Sequence, residues 1–225
     1  MIPEIGQFAL ILALLLAIAQ AFFGLVGAAR GQTAWMSASR SAVTGQSLFI
    51  AIAFGILTWS FINKDFSVLY VATNSNSQLP IFYRIAAVWG AHEGSLLLWA
   101  LVLSGWSLAV TCLSTSLQPA FRSRVIGILG LISIGFLLFM LTTSNPFERL
   151  MPAAAEGRDL NPLLQDFALT IHPPILYTGY VGFSVAFAFA CATLIEGRLD
   201  STWARWTMPT ARYSQSGGGS SFQCS

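Results

Sequence analysis

Five long stretches of this chain are almost uninterrupted apolar residues, and short polar segments separate them. The stretches cover residues 8–29, 43–62, 89–113, 125–143 and 175–195, and none contains Lys or Arg. A bilayer core is crossed by about 20 consecutive apolar residues in helical form. None of the stretches alternates with period two, which argues against a membrane barrel. The pattern predicts an all-α, polytopic transmembrane helical bundle of about five membrane-spanning helices. The first stretch reads as a retained helix rather than a cleaved signal. Residues 1–6 carry Glu4 and no basic side chain, and the apolar run is too long for a signal core.

Composition supports this reading. Hydrophobic residues make up 55% of the 225 and charged residues 9%, against roughly 25% charge in soluble domains. So few charges cannot cover a water-facing surface. Where they sit also suggests an orientation, because basic residues mark cytoplasmic loops. With the N-terminus outside, the inner segments hold Arg30, Arg40, Arg122, Arg124, Arg198, Arg205 and Arg212 against Glu196 and Asp200. The outer segments hold Lys64, Arg84, Arg149 and Arg158 against Glu4, Asp65, Glu148, Glu156, Asp159 and Asp166. The reverse orientation violates the rule. Two short connections then face the cytoplasm, and two longer outer loops, about 63–88 and 144–174, face outward. Long loops are often functional, so the outer side is where chemistry is expected.

Composition changes after Thr207. Residues 208–225, MPTARYSQSGGGSSFQCS, are Gly/Ser-rich and lack an apolar period, which predicts a flexible tail. Trp203 and Trp206 beside Arg205 suit a membrane interface. The chain is therefore divided into 1–207, the transmembrane part, and 208–225, a tail read as a truncation, linker or shifted frame. Cys112, Cys191 and Cys224 form no CxxC, so no zinc or redox pair is indicated.

Four polar segments carry candidate chemistry. His172 precedes Pro173 and Pro174. Proline pushes the residue before it out of the α region and suits a first helical position. His172 is therefore expected in an extended conformation just before the fifth helix. Beside that helix's positive end an imidazolium is disfavoured, and a neutral imidazole is a metal ligand or an interfacial group bonded to a carbonyl. In WGAHEGSLLLW (89–99), a helix would place Trp89, His92, Glu93, Leu96 and Trp99 on one face and pair Gly90 with Gly94 for close approach. His92 and Glu93 read as ligand and partner, as a proton site, or as polar glue. The first outer loop, 63–83, reads as a connector or a surface strip, with Phe66, Val68, Tyr70 and Ala72 alternating with Ser67, Leu69, Val71 and Thr73. Arg158 could pair with a propionate-type carboxylate, or with Asp159 or Asp166. No P-loop, GxGxxG, GxSxG or HExxH occurs, and no basic, aromatic-interleaved patch suggests nucleic acid. Two histidines cannot form an all-His metal cluster.

Taken together, NKDF (63–66), YVATNSNSQLP (70–80), YRIAAVWGAHEGSLLLW (83–99), TSNPF (143–147), EGRDLNPLLQD (156–166) and HPPILYTGYVGFSVAFAFA (172–190) resemble the CcmF family of cytochrome c-type biogenesis proteins. The resemblance runs over about residues 1–207. It implies a haem lyase subunit in the bacterial cytoplasmic (inner) membrane, assisting covalent attachment of haem to apocytochrome c outside that membrane. It implies haem b as cofactor of the full-length protein and His172 as an axial ligand of haem iron. Arg158, His92, Glu93 and Trp89 follow as secondary cofactor-binding candidates. The implied partners are apocytochrome c, the haem chaperone CcmE and CcmH-type subunits. Phe167-Ala168 stand where the family has Pro-Gly. The family's tryptophan-rich segment, second outer His and intramembrane haem ligands lie beyond residue 207, so this chain is expected to be inactive alone. The competing readings are a transporter of haem or another solute, and a cofactor-free structural subunit. Transporters place polar groups at the midplane, whereas here the polar residues gather near the outer ends.

Overall fold

The computed structural model describes residues 1–197; the 208–225 tail and the residues around Trp203 lie outside it. The chain is a polytopic transmembrane helical bundle. Five helices are long and apolar enough to cross a membrane: α1 (Ile2–Arg30), α2 (Thr33–Ile62), α5 (His92–Leu113), α6 (Pro119–Thr142) and α7 (Phe167–Glu196). Two short helices, α3 (Leu69–Asn74) and α4 (Ile81–Ala87), lie in the first long loop, and a 3₁₀ turn spans Pro162–Gln165 in the second. Among the described residues there is no sheet, only an isolated antiparallel bridge between Val68 and Arg149.

Apart from α5, the spans start earlier than their apolar runs. α2 begins at Thr33 rather than near Val43, and α6 begins at Pro119 rather than near Val125. The added turns carry polar residues, and a helix satisfies its own backbone whether or not its side chains are apolar. Thirty residues at 1.5 Å each make α2 about 45 Å long, against a hydrocarbon core of about 30 Å. The polar first turns therefore lie at or beyond the headgroup level. Gly31, at φ 66°, takes the left-handed conformation that closes α1, and two residues later α2 has begun.

α6 is the centre of the bundle and packs against α1, α2, α5 and α7. Half of its membrane window is buried, against 28% of that of α7, which lies at the edge. Lipid supplies no hydrophobic drive between helices, so close packing and hydrogen bonds hold them. α1 meets α6 through Ala17, Ala21 and Gly24 against Gly127 and Gly130. A Cβ added to Gly24 would stand 2.9 Å from the Gly127 Cα. The same seam is bonded: Gln20 Nε2 donates to the Ile126 carbonyl at 2.8 Å, and Ser123 Oγ donates to the Gly24 carbonyl at 3.1 Å. Gln20 and Gln46 are both buried within the spans. The reading that the polar residues gather near the outer ends did not anticipate these two.

Candidate functional site

The N-terminus of α1 and both long loops occupy one end of the bundle, and they form a bonded layer rather than loose connections. Arg149 reaches Glu4 at 3.4 Å and Asp65 at 3.7 Å. The Leu69 N–H donates to the Glu148 carbonyl and the Leu150 N–H to the Ser67 carbonyl. Further along, Glu156 accepts from the Ser77 N–H at 2.8 Å and the Ser77 hydroxyl at 2.7 Å. These donors hold its carboxyl below the usual carboxylate range. The first loop is thus neither a simple connector nor an alternating surface strip. Its supposed strip is helical from Leu69, because the Ser67 carbonyl and the Leu69 N–H spend their bonds on the second loop and the chain then turns in.

Tyr70, on α3, organises the segment that holds His92. Its buried hydroxyl donates to the Val88 carbonyl at 3.1 Å and accepts from the Ala91 N–H at 3.2 Å. Burial pushes this phenol's pKa well up, so it stays a neutral donor and acceptor. Gly94 is needed beneath it, because a Cβ there would overlap the Val88 carbonyl.

This clamp changes two expectations. α5 begins at His92, with Ala91 extended as its N-cap. Trp89 and Gly90 lie in the preceding turn, so Trp89 does not share a helical face with His92, and Gly90 does not pair with Gly94. His92 Nδ1 lies 3.0 Å from Ser144 Oγ, and its ring stands edge-on to Phe139, with 5.9 Å between centroids. That is the geometry of a group tying α5 to the end of α6. Glu93 is half-buried and has no hydrogen bond or ion pair among the described residues. Trp99 stacks beside Phe136 and Tyr177, joining α5, α6 and α7 one level deeper.

His172 is not where the proline rule placed it. α7 begins at Phe167, and Asp166 is its N-cap, its Oδ1 accepting from the Ala168 and Leu169 N–H groups at 2.9 and 3.1 Å. Pro173 and Pro174 are inside the helix, and His172 is its sixth residue. The cap starts the helix early enough that the prolines fall in its second turn. Their cost is a missing N–H each, which leaves the carbonyls four residues back without helical donors. One of these is met from outside: the Trp89 indole donates to the Thr170 carbonyl at 3.0 Å. Such repair by a neighbouring segment is how membrane helices tolerate proline. Trp89 and the turn carrying His172 are therefore brought together.

The His172 side chain is exposed and makes no hydrogen bond or ion pair among the described residues. Along α7 it shares a face with Ile175, Leu176, Phe183 and Phe187, all exposed. An imidazole thus heads an uncovered apolar stripe. Arg158 is exposed, and its N–H donates to the Ala72 carbonyl at 2.8 Å. Neither carboxylate weighed as its partner holds it: Asp159 is bonded by the Asn76 amide and Asp166 caps α7. No group of three or more His, Cys, Asp or Glu that could hold a metal ion occurs among the described residues. Sequence reasoning missed Tyr70, Ser144 and Thr170, whose partners are remote along the chain and leave no local spacing to read.

The family model described as "Cytochrome C assembly protein" matches residues 89–215, more than half of the chain. The chain belongs to the cytochrome c assembly protein family. This assembly-family chain is similar to the cytochrome c-type biogenesis protein CcmF of Pseudomonas aeruginosa, with 61% identity over 93% of the chain and 32% of the relative. It is similar to CcmF of Escherichia coli, with 55% identity over the same shares. Among solved structures it resembles "Cytochrome c Heme Lyase CcmF" with a TM-score of 0.81 and 28% identity, covering 92% of the chain and 32% of that structure. The assembly-family chain thus spans about a third of the length of these relatives.

Proposed function

We propose that this chain is the haem-handling N-terminal part of a cytochrome c maturation subunit. It would lie in the bacterial inner membrane, with its loop end outside and its arginine end in the cytoplasm. The observation that carries the reading is His172: an imidazole without a partner among the described residues, at the end of an uncovered apolar stripe on α7. A haem macrocycle is apolar with a metal centre, so a free imidazole beside apolar side chains fits it. His172 would hold the iron of that group through its imidazole. Haem b fits as the group bound in the full-length protein. When bound, haem supplies vinyl groups to which cysteine thiols of apocytochrome c add.

The chain's own residues would orient. Trp89, by holding the Thr170 carbonyl, fixes the turn from which His172 projects. Arg158 offers a planar fork to a carboxylate. His92 is satisfied by Ser144 and is assigned to positioning α5, with Glu93 beside it. Apocytochrome c is the substrate partner, with a haem-delivering chaperone of the CcmE kind and a thiol-presenting subunit of the CcmH kind. The relatives' names, a cytochrome c-type biogenesis protein and a cytochrome c heme lyase, support the apocytochrome and haem assignments.

The test replaces His172 with Ala and with Gly in a chain carried to the relatives' full length. Haem absorption of the purified protein and cytochrome c maturation are then measured, with and without free imidazole. Loss of both in each variant is expected, with recovery in His172→Gly on adding imidazole. Unchanged haem content and maturation in His172→Ala would leave His172 a structural interfacial residue.

A further inference from the structure

The opposite end of the bundle carries an unassigned site. α2 and α6 run parallel in the bundle, so their N-termini lie at the same end. Thr33 and Pro119, the first residues of these helices, line one cavity of about 320 Å³, together with Met36, Arg40, Arg122 and Ile126. Neither helix has a side-chain N-cap bond. The positive ends of two helix dipoles therefore face the same space. Arg122 is nine-tenths buried, and its side chain has no hydrogen bond or ion pair among the described residues. Arg40 enters the cavity from α2, and among the described residues no carboxylate lines it. Two guanidinium groups and two helix N-termini have gathered without a counter-charge among the described residues. Arg124, two residues on, is by contrast paired with Glu196 at 3.2 Å.

We infer that this cavity binds a phosphoryl anion, namely the phosphate of an anionic phospholipid. Helix N-termini and arginines are both phosphate-binding elements. Depth selects the lipid over a dissolved anion. Arg40 and Arg122 each stand three residues before an apolar run, at Val43 and Val125, which is the headgroup level. Met36 and Ile126 give the cavity an apolar side suited to the glycerol and first acyl carbons. Basic pockets between membrane helices bind anionic headgroups in this way. The site ties α2 to α6 at the end remote from His172 and does not depend on the haem reading.

The experiment uses the full chain in nanodiscs of phosphatidylcholine containing phosphatidylglycerol. After gentle release, native mass spectrometry counts the phosphatidylglycerol retained. Wild type should retain it over phosphatidylcholine. Arg40→Gln and Arg122→Gln should each lower retention about fivefold, the factor expected for one arginine near an anionic surface. Arg122→Lys, which keeps the charge, guards against misfolding and should retain most binding. Arg30→Gln removes a charge at the same end, from a residue stacked on Trp35 at 5.6 Å, and should leave retention unchanged. Equal retention in wild type and Arg40→Gln/Arg122→Gln would overturn the site. Equal losses in Arg30→Gln and Arg40→Gln would reduce it to surface charge. Displacement of the lipid by millimolar inorganic phosphate would overturn the lipid assignment in favour of a soluble phosphate.

Discussion

Replacing Trp89 by Phe should destabilise the protein through one carbonyl. The Thr170 carbonyl lies on a residue only 3% exposed, and Pro174 cannot donate to it. The Trp89 indole does so at 3.0 Å. Phe keeps most of the ring and loses the donor, so a buried acceptor is left unpaired, at a cost of about 1–3 kcal/mol. Some packing is lost as well, so the single variant does not isolate the bond. A double-mutant cycle with Pro174→Ala does. That second substitution restores a helical N–H four residues after Thr170, and the carbonyl no longer needs Trp89. Trp89→Phe should then cost at least about 1 kcal/mol less in the Pro174→Ala background than in wild type. Equilibrium unfolding in mixed micelles, followed by far-UV circular dichroism, gives the four free energies. Amide exchange at Ile171 and His172 reports whether the loss is local. Equal costs of Trp89→Phe in the two backgrounds would refute the repair argument.

Two further outcomes follow from the loop end. In a cysteine-free background, Gln78→Cys should react with an impermeant thiol reagent from outside intact cells and Ser116→Cys should not; the opposite result would invert the proposed orientation. Glu156 has a folded-state pKa below its ordinary 4.5. Its tie to Ser77 is therefore fully present above that value and lost as pH falls through the lower folded value. The protection of the Ser77 amide, its exchange rate taken against the intrinsic rate at each pH, should fall on acidification in wild type, and Glu156→Gln should abolish that change in protection.

The spans were legible because a run of about 20 apolar residues needs no tertiary information. Their starts were not. Thr33 to Ala42 carries Ser37, Ser39, Arg40 and Ser41, and it is helical for reasons of backbone alone. At α7 two local rules competed. Asp166 followed by an apolar run is an N-cap signal, and His172-Pro173-Pro174 is a break signal. The break rule placed the start too late, because a donor for the freed carbonyl existed on Trp89, 81 residues away. The same distance problem hid the loop layer: Ser77 and Glu156 are 79 residues apart, and neither has a sequence neighbour that announces the other. The candidate residues themselves were visible as scarce polar side chains in an apolar chain. Which of them are spoken for, as His92 is by Ser144, required the fold.

The bond from Gln20 to Ile126 also sets a timetable. A chain made at roughly 5–20 residues per second needs on the order of 5–20 s to produce the 106 residues between them. For that interval the first helix is in the bilayer with a side-chain amide whose acceptor does not yet exist. The second helix can arrive almost at once, across a two-residue turn, and Ser39 already donates to the Gln20 carbonyl from there. The hairpin of α1 and α2 is thus a stage of synthesis with its own lifetime, and the translation rate through residues 31–126 determines how long it lasts.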